Sequence, residues 1–424
     1  MISSCRRLPS CSVGQQFTVD MVTAYGHLTY CTNIHGGEKW DDHFRLLKTH
    51  VPKVKDAVSP HHPMGIGLRL SDLASKTLMG DRHLNAFKDW LTSEDTYVFT
   101  MNGFPFGAFH DDVVKAHVHT PDWTTDERLQ YTKRLFAILA QLAPEGMDGG
   151  ISTSPLAYRY WYNDTDDNWR KMRERATQQV VDVAEYLARI LREQGKTLHL
   201  DIEPEPDGVL ETGEEFISWY ENELVPEGVK ALSRQLGMAP TEAEQVIKRH
   251  IRLCYDVCHF ALGYEDHHRV VEALGHHGIQ IGKFQISAAL KAMMPPDMAT
   301  RQAIGDAFMA FDEPTYLHQV IAKYGDGRLT RFKDLPEAQS GLFEKQVTEW
   351  RSHFHIPIFL EDLGTLKSTQ SDIIQVLDMH KNKQLTSHLE VETYTWSVLP
   401  EQLQLPIAES ISRELSWVLD QFDE

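Results

Sequence analysis

The stretch RHIRLCYDVCHFALGY, residues 249 to 264, decides how this chain is read. From Ile251 to Leu262 it is apolar enough for a buried strand, yet Asp256 and His259 lie near its middle. A lone buried carboxylate is among the most costly groups a core can hold, so Asp256 must be paired, hydrogen-bonded or bound to a metal. The three-residue gap puts Asp256 and His259 on opposite faces of a regular strand. Both can face one ligand only if the strand ends near Val257 and the chain turns there, as strand-end chemistry requires.

Outward from this segment, short apolar runs alternate with amphipathic helical ones. The strand candidates are HLTYCTNIH (27–35), MGIGLRLS (64–71), TYVFTMNGF (96–104), DGGISTSPL (148–156), TLHLDIEPEP (197–206), IRLCYDVCHF (251–260), IGKFQISAAL (281–290), WRSHFHIPIF (350–359) and HLEVETYTW (388–396). Between many of them lie helical patterns such as WDDHFRLLKTHVPKVKDAV and SDIIQVLDMHKN. Strand and helix repeated this often predict a parallel sheet covered by helices, and a (β/α)8 TIM barrel is the expected architecture. Nine candidates compete for eight places, with the surplus in the last third. There YLHQVIAKYGDGRLTRFKDL (316–335) reads as a hairpin turning at GDG, inserted after the strand of Gln285. The Glu-rich span from about 207 to 250 reads as a helical excursion. No linker or repeat marks a second unit, so residues 28–424 are expected to form one barrel domain ending in a helix. Residues 1–27 form an extension, within which Met21 is an alternative start.

At 424 residues and 42% hydrophobic composition the chain can bury a large core. With 42 Lys+Arg against 61 Asp+Glu its formal charge is -19, which makes nucleic acid and anionic membrane surfaces poor partners. Its apolar runs fall short of the roughly 20 residues of a membrane span. Arg6 and Arg7 are followed by no apolar run, which argues against a secretory signal. Five cysteines without a framework spacing fit a reducing cytoplasm, and Cys254 and Cys258 read as small core residues.

In barrels, side chains from different strands converge at the C-terminal strand ends. LHLDIEPEPDG (198–208) ends a strand with Asp201, Glu203 and Glu205 on one face before Pro204 and Pro206 stop the ladder. WRSHFHIP (350–357) places His353 and His355 together, and HLEVETYTW does so with Glu390 and Glu392. Carboxylates with one or two imidazoles suit Mn²⁺, Mg²⁺, Co²⁺ or Zn²⁺. Asp256 is thus expected to be held charged by a cation shared with Glu203, a histidine and Glu392. His61, His62, His267, His268, His276 and His277 are expected to be solvated.

These residues resemble the xylose isomerase-like TIM-barrel superfamily over about residues 28 to 398. DIEP (201–204) resembles its first metal Glu, DVCH (256–259) its Asp-x-x-His, and VETYTW (391–396) its closing-strand Glu. LTYCTNIHGGEKW (28–40), WRSHFHIPIF and LEVETYTWSVLP (389–400) further resemble the metabolite-traffic family EboE. The superfamily likeness implies Glu203, Asp256 and Glu392 as metal ligands and His259 as a substrate contact or ligand of a second metal. The remaining ligand is normally a His on the seventh strand, where this chain offers Gln285. His355 is the expected replacement, because the 37 residues to Glu392 (392 minus 355) leave room for one helix between adjacent strands. The EboE likeness implies a cytoplasmic protein working beside products of the same operon, and a homo-oligomer is compatible with it.

Three functions compete. In the first, a divalent metal serves a sugar or cyclitol isomerase or epimerase, with Glu203 and Glu392 as acid and base and a small polyhydroxylated metabolite as substrate. Its substrate contacts are expected among His259, Gln285, His353, His35, Asn102, His110 and Trp396, with Asn33, Phe104 and Tyr394. In the second, His259, His353 and His355 complete a multi-ion phosphoesterase. In the third, the chain is a non-catalytic carrier, a reading that Gln285 supports.

Overall fold

The computed structural model describes residues 21–107, 115–162, 167–396 and 406–423. Eight of the nine apolar segments pair in parallel as β1 (Gly26–Tyr30), β2 (Met64–Arg69), β3 (Thr96–Asn102), β4 (Gly149–Thr153), β5 (Leu198–Ile202), β6 (Ile251–Asp256), β7 (Ile281–Ile286) and β8 (His388–Val391). Their order around the sheet is their order in the chain, with β8 beside β1. A parallel bridge between Cys31 and Gly67 closes the ring between β1 and β2. Thr29 reinforces that seam: its hydroxyl donates to the Gly65 carbonyl (2.8 Å) and accepts from the Gly67 N–H (3.0 Å). Gly67 cannot be replaced cheaply, since a Cβ there would lie 1.8 Å from Glu390 Oε1. The chain is a (β/α)8 TIM barrel.

Helices cover the outside because each connection carries one apolar stripe. Trp40–Val58 follows β1, Asp126–Leu142 follows β3, and Asp167–Gln194 follows β4. Their starts use local chemistry: Thr125 caps Asp126–Leu142 by accepting from the Arg128 N–H. The span after β5 is indeed helical, with Gly213–Trp219, Val225–Leu236 and Pro240–His250. The helix Ile407–Asp423 lies against Trp40–Val58. Among the described residues no helix is long and apolar enough to cross a membrane.

The surplus strand is WRSHFHIPIF. It lies in Val347–Ile356, the centre of a six-stranded antiparallel sheet built between β7 and β8. The placement of His355 on a barrel strand next to that of Glu392 is therefore corrected: the 37-residue gap holds an accessory hairpin as well as the helix Gln370–Asn382. β7 itself feeds this sheet. Past Ser287 the chain continues as Ala288–Met293, which pairs with Val347–Ile356. The hairpin at GDG is present, Val320–Tyr324 against Leu329–Phe332, on the sheet's other side. Arg301 ties the sheet down by donating to the carbonyls of Pro295, Leu342, Glu344 and Val347.

Strands packed on both faces are buried throughout. The barrel interior is unusually polar, with Lys283 Nζ 2.6 Å from Glu390 Oε2 and neither side chain exposed. Cys254 and Cys258 are buried thiols. Of the histidines expected in solvent, His267 is instead buried, 2.6 Å from the Tyr255 hydroxyl and 3.2 Å from Asp372 Oδ1. It begins the helix His267–His276, and its ring turns inward to the Tyr255 hydroxyl.

Candidate metal centre at the barrel mouth

β6 ends at Asp256, and the next residue starts the helix Val257–Leu262. Asp256 caps that helix, its Oδ1 accepting from the His259 N–H (3.2 Å) and the Ser287 hydroxyl (2.7 Å). Its Oδ2 has no hydrogen-bond partner among the described residues. The turn brings His259 back over the strand end, with Nε2 3.8 Å from Asp256 Oδ2 and Nδ1 3.9 Å from Glu203 Oε1. Glu203 lies just beyond β5, where Pro204 ends the ladder, and its Oε2 is also unpartnered. Glu392 follows β8. Asn33 and Asn102 donate to its Oε1 (2.7 and 2.8 Å), which leaves Oε2 toward His355 at 3.6 Å.

His353 and His355 arrive from the accessory strand, not the barrel. His355 Nε2 lies 3.7 Å from Asp256 Oδ2, between the ends of β6 and β8. The three imidazoles are held in one way. His259 Nδ1–H donates to the Pro204 carbonyl (2.9 Å), His355 Nδ1–H to the Glu392 carbonyl (2.9 Å), and His353 Nδ1–H to Gln319 Oε1 (2.8 Å). Each ring is thereby fixed as the tautomer whose Nε2 carries a lone pair, as in metal-ligating histidines, whose other ring N–H is held by a carbonyl or carboxylate. His353 Nε2 and His355 Nε2 have no partner among the described residues.

The electrostatics agree with this geometry. Burial, then the charges of Glu392 and Asp256, push the Glu203 carboxyl well above the usual range; burial and Asp256 do the same to Glu205 and Glu392. Burial drives His259, His353 and His355 below their ordinary value, so they stay neutral lone-pair donors. The nearest buried cation, Lys283, is already paired with Glu390. Crowded buried carboxylates with neutral imidazoles are the donor set of a divalent cation. Asp256, His259 and His355 form one such group, and Glu205, His259 and His353 a second.

The pocket above these groups amounts to about 610 Å³, its open mouth included. Asn33, Asn102, Phe104, His259, His353 and Tyr394 line it, as do Glu203 and Glu392. Gln285 stands beside Asp256 in register on β7, buried, with neither amide atom partnered among the described residues. Two expected contacts are corrected. Trp396 is buried against Phe359, and His35 is buried 3.0 Å from the Tyr30 hydroxyl and stacked on His50; neither lines the pocket. On the same two loops Asn33 and Tyr394 do line it. His110 lies outside the described residues.

No family model matches the chain, and no curated protein matches it. Solved structures similar to it include an IOLI protein with a bound zinc atom (14% identity, 93% of this chain and 98% of that one, TM-score 0.43). A probable 3-DHS dehydratase AsbF from Bacillus anthracis matches at 9% identity, 92% of this chain and 97% of that one, TM-score 0.42. A xylose isomerase domain protein from Planctomyces limnophilus matches at 10%, 88% and 92%, TM-score 0.42. The likeness is distant, and the chemistry must come from this chain's own residues.

Several pocket residues carry no sequence signal. His119, Lys115, Tyr316 and Gln319 line it from loops and from the insertion. Burial and the nearby Arg128 push His119 down to about 3, so it presents a neutral ring. Lys115 Nζ is 2.6 Å from Asp334 Oδ2, tying the near loop to the accessory insertion.

Proposed function

We propose that the protein is a metal-dependent isomerase or epimerase acting on a small sugar or cyclitol-like polyol. The observation that carries this is the set of three imidazoles tied at Nδ1, two of them, His259 and His355, with Nε2 within 3.8 Å of the buried Asp256 Oδ2 at the end of a pocket. Glu203, Asp256, His355 and Glu392 would hold the ion, which fits these donors as Mn²⁺, Zn²⁺, Co²⁺ or Mg²⁺. When bound, such an ion polarises substrate oxygens and acidifies the neighbouring C–H.

The chain's own groups do the rest. Glu203, whose carboxyl is pushed up by burial and by the charges of Glu392 and Asp256 and whose Oε2 has no hydrogen-bond partner among the described residues, is placed to serve as general acid or base. Glu392 is steered by Asn33 and Asn102, so one oxygen stays in place while the other meets the substrate. His353, His259 and Asn102 offer polar contacts for hydroxyl groups, and Phe104 and Tyr394 supply wall; Gln285, beside Asp256 on β7, lies beneath that lining. Incubation of metal-loaded protein with a panel of sugars and cyclitols in D₂O should place deuterium at one carbon. Absence of exchange across the panel with every metal would refute the reading.

A second reading draws on the group Glu205, His259 and His353, which favours a second ion and phosphate-ester cleavage. Anomalous scattering decides between them: two ions in the mouth support hydrolysis, one supports isomerisation. We also carry the EboE likeness as a proposal, with the protein serving cytoplasmic handling of a small metabolite beside products of its operon. If Glu203→Gln and Asp256→Asn variants restored a deletion strain as well as wild type does, a non-catalytic carrier role would replace the enzyme.

A further inference from the structure

Glu203 and Glu392 have counterparts at the other end of the same strands. His199 precedes Glu203 by four residues and His388 precedes Glu392 by four, about 13 Å at strand rise. Both histidines are fully buried at the barrel floor, where Asp148 leads into β4. One ligand atom from each of Asp148, His199 and His388 lies within 4.8 Å of the others. His199 Nε2 stands 3.5 Å from Asp148 Oδ2 and His388 Nε2 3.3 Å from Asp148 Oδ1.

These separations decide how the cluster is read. They exceed the roughly 2.7–3.2 Å of N–H···O hydrogen bonds. Metal–ligand bonds of about 2.1 Å at tetrahedral angles set neighbouring donors about 3.4 Å apart; each imidazole stands at about that separation from one oxygen of Asp148, a different oxygen for each, so an ion would be met by both carboxylate oxygens. His199 Nδ1 is 2.6 Å from Asp201 Oδ1, the carboxylate–histidine arrangement that leaves Nε2 as the metal-facing lone pair. Neither ring nitrogen of His388 has a hydrogen-bond partner among the described residues, nor has His199 Nε2. Asp148 has two further contacts, Arg252 Nη1 at 3.1 Å from Oδ2 and the Ser387 hydroxyl at 3.2 Å from Oδ1. They orient the carboxylate, and Arg252 balances one of the two acidic charges.

The backbone makes room for the cluster. A Cβ on Gly282 would lie 1.9 Å from Asp201 Oδ1, and one on Gly150 2.4 Å from His199 Cε1. The Asp148 side chain keeps 26% exposure, which gives an ion a route from solvent.

We infer that Asp148, His199 and His388 form a second divalent-cation site, of zinc type, at the floor of the barrel. It joins β4, β5 and β8 at the pole away from the mouth, where barrels place stability rather than catalysis. Its role is structural, and it stands independently of the function proposed for the mouth.

The test uses the full-length protein, stripped with a chelator and reloaded with Zn²⁺. Crystals measured on both sides of the zinc absorption edge should show an anomalous peak between Asp148, His199 and His388. Elemental analysis of a Glu203→Gln/Asp256→Asn variant, disabled at the mouth, should still find about one zinc per chain. His388→Gln should lower the wild-type content by about one equivalent and leave the mouth peak in place. No floor peak at saturating Zn²⁺, or unchanged zinc in both His388→Gln and Asp148→Asn, overturns the site. Should those variants not fold, the diffraction result from the wild type decides alone.

Discussion

Replacing Lys283 by Met tests the polar interior on which the mouth rests. Lys283 and Glu390 are fully buried and 2.6 Å apart. At an effective dielectric of 20 their Coulomb attraction, 332/(20 × 2.6), is about 6 kcal/mol. Desolvating two ions costs several kcal/mol each, so the intact pair contributes little net stability. Its removal by halves is another matter. Lys283→Met leaves Glu390 buried without its cation, its Oε1 seated in the space that a Gly67 side chain would fill. The expected loss is about 3–5 kcal/mol. With unfolding entropy near 2.1 cal/mol/K per residue, this chain should melt about 3–6 °C lower. Lys283→Met with Glu390→Gln removes both charges and should recover most of the loss. Urea unfolding of wild type, both single variants and the double variant gives the coupling energy. A single-variant loss below about 1 kcal/mol, or a double variant that is simply additive, would refute the reasoning.

Further outcomes follow from partners of the mouth residues and from one buried acid. Gln319→Leu removes the acceptor of His353 Nδ1–H, so in a competition titration against a coloured chelator a second ion held by Glu205, His259 and His353 should bind about 10- to 100-fold more weakly while the ion of Glu203, Asp256, His355 and Glu392 is unaffected. Ser287→Ala takes a donor from Asp256 Oδ1 and an acceptor from the Cys258 N–H, so affinity should fall similarly, and Ser287→Thr should restore part of it. Glu414, buried and accepting from the Thr393 hydroxyl and the Ile358 N–H, is pushed up to about 8 by burial. Between its ordinary value of 4.5 and 8 the folded protein holds a proton that the unfolded chain has lost. Stability from this group is therefore full below that window and declines as pH rises through it. Denaturation series from pH 5 to 8 should show a shallower decline in Glu414→Gln, and parallel profiles would contradict this.

The barrel was readable because each strand and each helix declares its own period. The ninth strand was not. WRSHFHIPIF has the same local pattern whether its edges pair in parallel inside a barrel or antiparallel above it, and only its partners, Ala288–Met293 and Val320–Tyr324, distinguish the two. Spacing failed for the same reason: a gap of 37 residues accommodates a helix with or without a hairpin. Glu203, Asp256 and Glu392 stood out because carboxylates ending apolar strands have few alternatives to a mouth. Gln319 and His119 gave no such signal, since loop residues acquire their neighbours only from the tertiary fold. Trp396 and His35 misled because the chain leaves the strand direction soon after β8 and β1, where alternation no longer predicts a face.

The accessory sheet is best understood as part of the mouth rather than as an addition to it. It begins at Ser287, whose hydroxyl holds Asp256, and it delivers His355, whose ring is fixed by the carbonyl of Glu392. Thr395, beyond β8, donates back to the His355 carbonyl at 2.7 Å. The insertion is therefore anchored at both ends to residues that present ligand candidates. An ion bound there would stabilise the seating of the sheet by the same free energy with which the seated sheet improves the site, since the two equilibria are linked. His355 thus reaches Asp256 from the strand lying across the mouth, above the level at which β7 offers Gln285.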